Sequence, residues 1–151
     1  MQDILTAIQA TLRGDTDLNY VSDSNILIEV DNAYVPAHAA YPIITLKDGG
    51  VERKRDFVGP SSGFMTEETV QINLWQVLLE DDKSIVGSGS TYGVLDIQET
   101  VDAILNANTF SLSCVLDVFC DSETQAEIIK LDDLNLVRKT LNYTYLKVEV
   151  K

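Results

Sequence analysis

Few residues in this sequence have the types and the spacing that catalysis or metal binding requires. The only histidine, His38, lies beside alanines and a proline, and a general base would also need a nucleophile and an orienting carboxylate. Cys114 and Cys120 do not have a zinc-ligand spacing. On an extended strand the two cysteines lie about 20 Å apart, too far for a disulfide. We therefore expect a loop histidine and two buried thiols.

Two further patterns resemble ligand-binding motifs but lack their essential residues. The glycine-rich segment 87–93 precedes a predicted helix, as phosphate-binding loops do, yet it has no Walker lysine and misses the dinucleotide glycine spacing by one position. Asp15, Asp17 and Asn19 match the first three ligands of a calcium loop, but tyrosine and isoleucine replace the glycine and glutamate required further on. We expect a flexible lead-in to the helix and no calcium site.

Three carboxylates, those of Asp96, Glu99 and Asp102, share one predicted helix. The apolar residues of that helix recur at helical spacing, so the carboxylates are expected on a solvated polar face rather than in an acid–base pair. With no motif left that meets its chemical requirements, the sequence predicts no catalytic residue, no cofactor and no metal. The interpretation is that the chain is not an enzyme.

Charge restricts the partners of the protein. The sequence has 151 residues, the length of one domain, and no apolar run near the roughly 18 residues that cross a bilayer. It carries 11 Lys and Arg against 24 Asp and Glu, a net charge of -13. Because nucleic acids and anionic membranes are held by basic residues, this balance argues against gripping DNA or binding a membrane.

Hydrophobic periodicity predicts an α+β fold: a single mixed, mostly antiparallel sheet of about five strands with two helices packed on it. One helix covers residues 4–12, and the other runs from an N-cap at Ser90 or Thr91 to about residue 107. The expected strands cover residues 26–30, 41–47, 69–79, 113–120 and 137–150. Residues 121–136 are expected to be a connection with at most a short turn of helix.

Residues 48–65 are the longest irregular stretch, predicted as a long loop or a ragged hairpin extension. The stretch opens with an Asp-Gly-Gly turn signal and carries Arg53, Lys54 and Arg55, much of the basic charge of the chain. Long loops in compact domains are usually functional. These three residues are therefore a candidate interface.

Four segments spread over nearly the whole chain resemble the tail-completion, or tail-terminator, proteins of tailed bacteriophages. They are residues 3–8 (DILTAI), 41–50 (YPIITLKDGG), 93–97 (GVLDI) and 138–145 (RKTLNYTY). The resemblance implies an α+β structural subunit that closes into a ring, generally a hexamer, which ends the tail tube and joins the tail to the head. It implies as partners the tail-tube protein and a head-completion or neck protein, and neither catalytic residues nor a cofactor.

The same resemblance predicts where the protein works and how it treats DNA. We expect synthesis in the cytoplasm of the bacterial host and a final place in the virion, at the head–tail junction. DNA must pass through such a ring without specific binding, and carboxylates lining the channel would repel its phosphates. The candidate channel-facing acids are Glu80, Asp81, Asp82, Asp132 and Asp133. The alternative is that these acids are solvated on the outer surface.

Three other functions stay open at the level of sequence. The nearest is another neck component of the same junction, a head-closure or connector protein. A second, from a different class, is a small ligand-binding domain or hydrolase. A third is an acidic decoy that mimics DNA and inhibits a host enzyme. Identifying the protein that this chain binds, or detecting turnover of a substrate, distinguishes these functions.

Overall fold

A mixed six-stranded sheet forms the centre of the computed structural model, which describes residues 1–29, 41–54, 63–78, 81–89, 91–131 and 134–150. The strands are β1 (Ile26–Ile28), β2 (Ile43–Lys54), β3 (Gly63–Val77), β4 (Val115–Glu123), β5 (Glu127–Leu131) and β6 (Leu134–Val150). The helices are α1 (Gln2–Gly14), α2 (Asp81–Ile85) and α3 (Val94–Leu105), with short 3-10 turns at Thr16–Leu18 and Asp23–Asn25.

The sheet has the order β1-β2-β3-β6-β4, and β5 also pairs with β6. Only β1 and β2 are parallel, and every other pair is antiparallel. The predicted α+β class with a mixed, mostly antiparallel sheet is therefore confirmed. The sixth strand is β5, in a segment that was expected to be a connection. It is a strand because it forms a hairpin with the start of β6, in which Leu131 pairs with Leu134.

Helices α1 and α3 cover one face of the sheet, called here the helix face. α1 buries the four apolar residues that the sequence indicated, Ile4, Leu5, Ile8 and Leu12. α3 buries Val94, Ile97, Val101 and Leu105 against β3 and β6. The largest buried cluster of the described residues joins these side chains to the apolar residues of β2, β3, β4 and β6. No helix of the described part is long and apolar enough to span a membrane.

A smaller cluster lies on the opposite face of the sheet, at one end. Trp75 is buried there with Ile43 and Leu136. Its indole Nε1 donates a hydrogen bond to Thr45 Oγ1 at 3.0 Å, and the guanidinium of Arg138 lies over its ring, 5.4 Å from the centroid. A cation over an aromatic face is attracted by the ring quadrupole, so Arg138 both covers the tryptophan and ties β6 to β3.

The segment 48–65 shows the main departure from the expected loop. β2 continues through Lys54 and β3 begins at Gly63, so the hairpin alternative describes most of the segment, and residues 55–62 lie outside the described part. The Asp-Gly-Gly signal is a β-bulge: the register shifts between Asp48 and Val51. Gly50 has φ of +102°, a left-handed conformation that favours glycine, and its N–H donates to Asp48 Oδ1 at 2.8 Å.

Candidate subunit interface

The sheet has two edges where its strands meet no other strand of the described part. At one edge, β6 pairs with β4 along Leu141–Lys147 and with β5 along Leu134–Arg138, and the outer sides of β4 and β5 stay unpaired. At the other edge, β1 covers only Ile44–Leu46 of β2, and no other strand of the described residues pairs with the outer side of residues 47–54. Unpaired edges are templates for another strand, so they are the first candidates for contacts between proteins.

The β4 edge exposes apolar side chains because bulges break its alternation. Leu116 and Asp121 are extra residues opposite β6, so the register shifts at each of them. The predicted buried face of Cys114, Leu116, Val118 and Cys120 is therefore wrong: Val118 is buried, Cys114 is half-buried, and Leu116 and Cys120 are exposed. Leu116 is 57% exposed and Phe119 39%, and on β5 Ile128 is 60% exposed.

The thiol of Cys120 is held in its protonated form. Partial desolvation and the carboxylates of Asp102, Glu123 and Asp121 raise its pKa. The thiol faces Tyr143 and Asp102 in a shallow recess, and its closest hydrogen-bond acceptor is the carbonyl oxygen of Ser122, at 3.6 Å. A nucleophilic cysteine needs a lowered pKa, so this environment does not suit covalent catalysis.

The β2 edge carries the first two of the three basic residues proposed as an interface. Arg53 is exposed and pairs with Thr66 of β3, Lys54 is the last residue of β2, and Arg55 lies outside the described residues. Val51, 43% exposed, and Glu52 complete the run after the bulge. The structure thus places two of the predicted interface residues on a free strand edge rather than on a loop.

Of the candidate channel-facing acids, the structure describes Asp81 and Asp82. Asp81 and Asp82 begin α2, a short helix beyond the two that the sequence predicts, and Glu80, Asp132 and Asp133 lie outside the described residues. The described neighbours of the two acidic segments are bonded to each other: Leu78 N donates to Asn135 O at 2.9 Å. The described residues next to the two acidic segments, Leu78 and Asn135, therefore meet at the end of β3 that lies away from Arg53.

A buried charged cluster lies under α1, and sequence reasoning missed it. Glu68 is 3% exposed on β3, and its carboxylate lies 3.9 Å from Lys147 Nζ, which also lies 3.3 Å from Asp3 Oδ2. Burial acts to lower the pKa of Lys147, but the attraction of Glu68 and the hydrogen bond to Asp3 outweigh it and raise that pKa. Strand parity places Glu68 on the helix face, and this parity is the signal that could have found it.

Two of the three α3 carboxylates have structural partners, and the third is solvated as predicted. Asp102 accepts a hydrogen bond from the hydroxyl of Tyr143, while Glu99 is exposed. Asp96 Oδ2 accepts from Gly93 N at 3.0 Å, so the N-cap residue is Gly93 and not Ser90 or Thr91. A carboxylate near the first turn of a helix also complements its dipole.

The two motif-like segments are occupied by contacts within the chain. Gly87 has φ of +89°, and a Cβ there would collide with the carboxylate of Asp96, so this glycine serves close packing rather than phosphate binding. Asp15 Oδ1 accepts from Asp17 N at 2.8 Å and caps a 3-10 turn. The described residues contain no cluster of three metal-ligating side chains, and His38 lies outside them.

Comparison with known proteins shows a shared fold and no family. No family model matches the sequence, and no curated protein does. A chain from the structure described as "Virion of native gene transfer agent (GTA) particle" has a similar fold, with a TM-score of 0.54 and 12% sequence identity. The match covers 96% of this chain and 94% of that chain. The complete fold is therefore one that a virion particle contains.

Proposed function

We propose that this chain is a structural protein of a phage-like virion, where it forms a ring that ends the tail tube and joins the tail to the head. The observation that carries the proposal is the fold shared with a chain of a gene transfer agent virion over 96% of this chain. A match of that extent concerns the whole subunit rather than a common sheet motif. The four segments that resemble tail-completion proteins support the finer assignment, because all four lie on elements of the fold: α1, β2, α3 and β6.

A ring of identical subunits needs two different, complementary surfaces on each subunit, because every copy contacts its neighbours head to tail. The two free edges, on β2 and on β4 with β5, lie on opposite sides of the sheet and differ in composition. A ring of about six copies, capping the tail-tube protein on one face and meeting a neck protein on the other, is the assembly that these edges serve. Structural work of this kind requires no catalytic group.

The proposed role is tested by inactivating the gene in a host that produces the particles. Loss of a tail terminator leaves tails that are not joined to heads and whose length is unregulated, and the intact gene restores normal particles. Normal tails beside heads that lose their DNA would instead assign the chain to head closure, the alternative at the same junction. Unchanged particles would contradict both assignments.

We also propose that the acidic residues at positions 80–82 and 132–133 face the channel of the ring. Replacing Asp132 and Asp133 with lysine, or Glu80, Asp81 and Asp82 in a separate variant, should leave assembly intact but slow DNA ejection at low salt, because lysines attract phosphates. The control for the first variant replaces two exposed acids elsewhere, Asp23 and Glu99, and produces the same change in net charge. Equal ejection rates in the assembled variants and the control would contradict the channel assignment.

A further inference from the structure

Bulges divide each free edge and leave one regular run of four residues on each. On β4, the run between the bulges at Leu116 and Asp121 is 117–120, which pairs with β6 without a break. On β2, the run after the bulge is 51–54, which pairs regularly with β3. Bulges disturb the ladder on which a new strand would form. The two short runs are therefore the parts of the edges that another strand can join.

The directions of the strands match the two runs to each other across a rotation. The strands β2, β3, β6 and β4 alternate in direction, so β4 runs opposite to β2. When a copy is rotated about an axis inclined to the strands, as in a barrel whose strands tilt, its β2 comes beside β4 of the first copy, antiparallel to it and shifted along it. The alternation then continues from copy to copy, which lets a ring extend its sheet through every interface.

The faces of the sheet restrict how the two runs align. Val51 pairs with Glu68, Glu68 with Tyr145 and Tyr145 with Val118, so all four lie in one row on the helix face. Arg53 and Cys120 share that face, because residues two apart in a strand point the same way. A continuous sheet keeps this parity, since a slip by one residue would move every side chain to the other face.

One antiparallel alignment keeps the parity and uses all eight regular residues. It pairs Val51 with Cys120, Glu52 with Phe119, Arg53 with Val118, and Lys54 with Asp117. The last pair sets opposite charges directly across from each other, a favourable cross-strand arrangement. If the alignment slips by two residues in one direction, two carboxylates, Glu52 and Asp117, face each other and the pairing runs into the bulge at Leu116. If it slips by two residues in the other direction, the pairing runs into the bulge at Asp121.

We propose that residues 51–54 of one copy add as an antiparallel strand to residues 117–120 of the next copy, with Val51 opposite Cys120. This contact rests on the proposed ring and identifies the surfaces that close it. The basic residues Arg53 and Lys54 then meet an edge that carries Asp117, Asp121 and Glu123. Residues that are partly exposed in the single subunit, Val51 and Phe119, become part of the interface.

The natural Cys120 provides a direct test. In a Cys114→Ser background, Val51→Cys puts a cysteine opposite Cys120 of the next copy, at the spacing of directly opposed strand residues that a disulfide requires. Because each copy then carries both halves of the link, oxidation should produce a ladder of covalent multimers that ends at about six copies. The test uses particles assembled with the variant, and the concentrated purified protein. A second variant pair, Glu52→Cys with Phe119→Cys, reports the same alignment if Val51→Cys does not fold.

Controls separate this contact from random collisions and from other pairings. Ala10→Cys places an exposed cysteine on α1, and Cys120→Ser removes one half of the link; neither should produce a ladder. Equal ladders in the Ala10→Cys control, or covalent dimers of the parent protein through Cys120 alone, would overturn the proposed alignment. Particles that contain about six copies without the disulfide would overturn the strand contact and leave the ring intact. Particles that lack the chain would overturn the proposed function, and the ladder in purified protein would then decide the contact.

Discussion

The helix face and the β4 edge belong to one sheet, but strand pairing is regular and buried on the first and interrupted by bulges on the second. On the helix face, Leu141 and Ile72 pair across β6 and β3 and are completely buried. On β4, two bulges within nine residues turn Leu116 and Phe119 outward. The first arrangement stabilises the single subunit, whereas the second contributes little to it and leaves apolar surface for a partner. We therefore expect folding and the proposed assembly to depend on separate sets of residues.

The sharpest test of this separation uses two leucines of the same sheet. Leu141→Ala, in the core, should lower the free energy of unfolding by about 2–5 kcal/mol, because it removes buried methyl groups and leaves a cavity. Leu116→Ala, on the edge, should change it by less than about 0.5 kcal/mol. Urea denaturation of both variants measures the two effects. A loss at Leu116 as large as that at Leu141 would show that the edge belongs to the core.

Two buried tyrosines sharpen the comparison within the helix face. The hydroxyl of Tyr143 donates to Asp102, so Tyr143→Phe should cost about 1.5–3 kcal/mol of stability. The buried hydroxyl of Tyr145 has no hydrogen-bond partner in the described part of the chain, so Tyr145→Phe should leave stability unchanged or raise it by up to about 1 kcal/mol. Thermal unfolding of the two phenylalanine variants measures both effects. Equal losses of stability would contradict the assignment of a hydrogen bond to Tyr143 and none to Tyr145.

The smallest effect concerns the proposed interface. Asp117→Lys sets like charges across the contact with Lys54 and should weaken association between copies about fivefold, or about 1 kcal/mol. It also removes the hydrogen bond that Asp117 Oδ1 accepts from Val118 N at 2.8 Å, so the subunit itself should lose about 0.5–1.5 kcal/mol of stability. Adding Lys54→Asp should restore association, because the pair is then only exchanged. Sedimentation of the single and double variants measures this. If the double variant associates no more tightly than Asp117→Lys alone, Asp117 and Lys54 do not face each other across the contact.

Much of the fold can be predicted from sequence periodicity, but the structure of the sheet edges cannot. The stripe of Ile4, Leu5, Ile8 and Leu12 predicted α1 because burial on one helix face requires that spacing. The bulges of β4 were not predicted, since an extra residue is decided by pairing with β6, a partner distant in sequence. The same limit applies to Asp102, whose acceptor role depends on Tyr143, forty-one positions away.

The candidate interface was predicted in part. Arg53 and Lys54 were identified from their clustered charge, which sequence shows directly. The choice between a long loop and a hairpin extension stayed open, because the Asp-Gly-Gly signal of a turn is also the signal of a bulge. The opposite edge, with Leu116 and Phe119, had no such signal. Strand alternation predicted burial of Leu116 but not of Phe119, and only the bulge at Leu116 shows that this side chain is exposed.

The copy number of this chain in purified particles tests the central proposal most directly. Quantitative mass spectrometry of intact particles, calibrated with labelled peptides of this chain, counts its copies per particle. A ring that ends the tail tube predicts about six copies per particle, the same in particles with long and short tails. A single copy, a number that grows with tail length, or absence from the particle would contradict it.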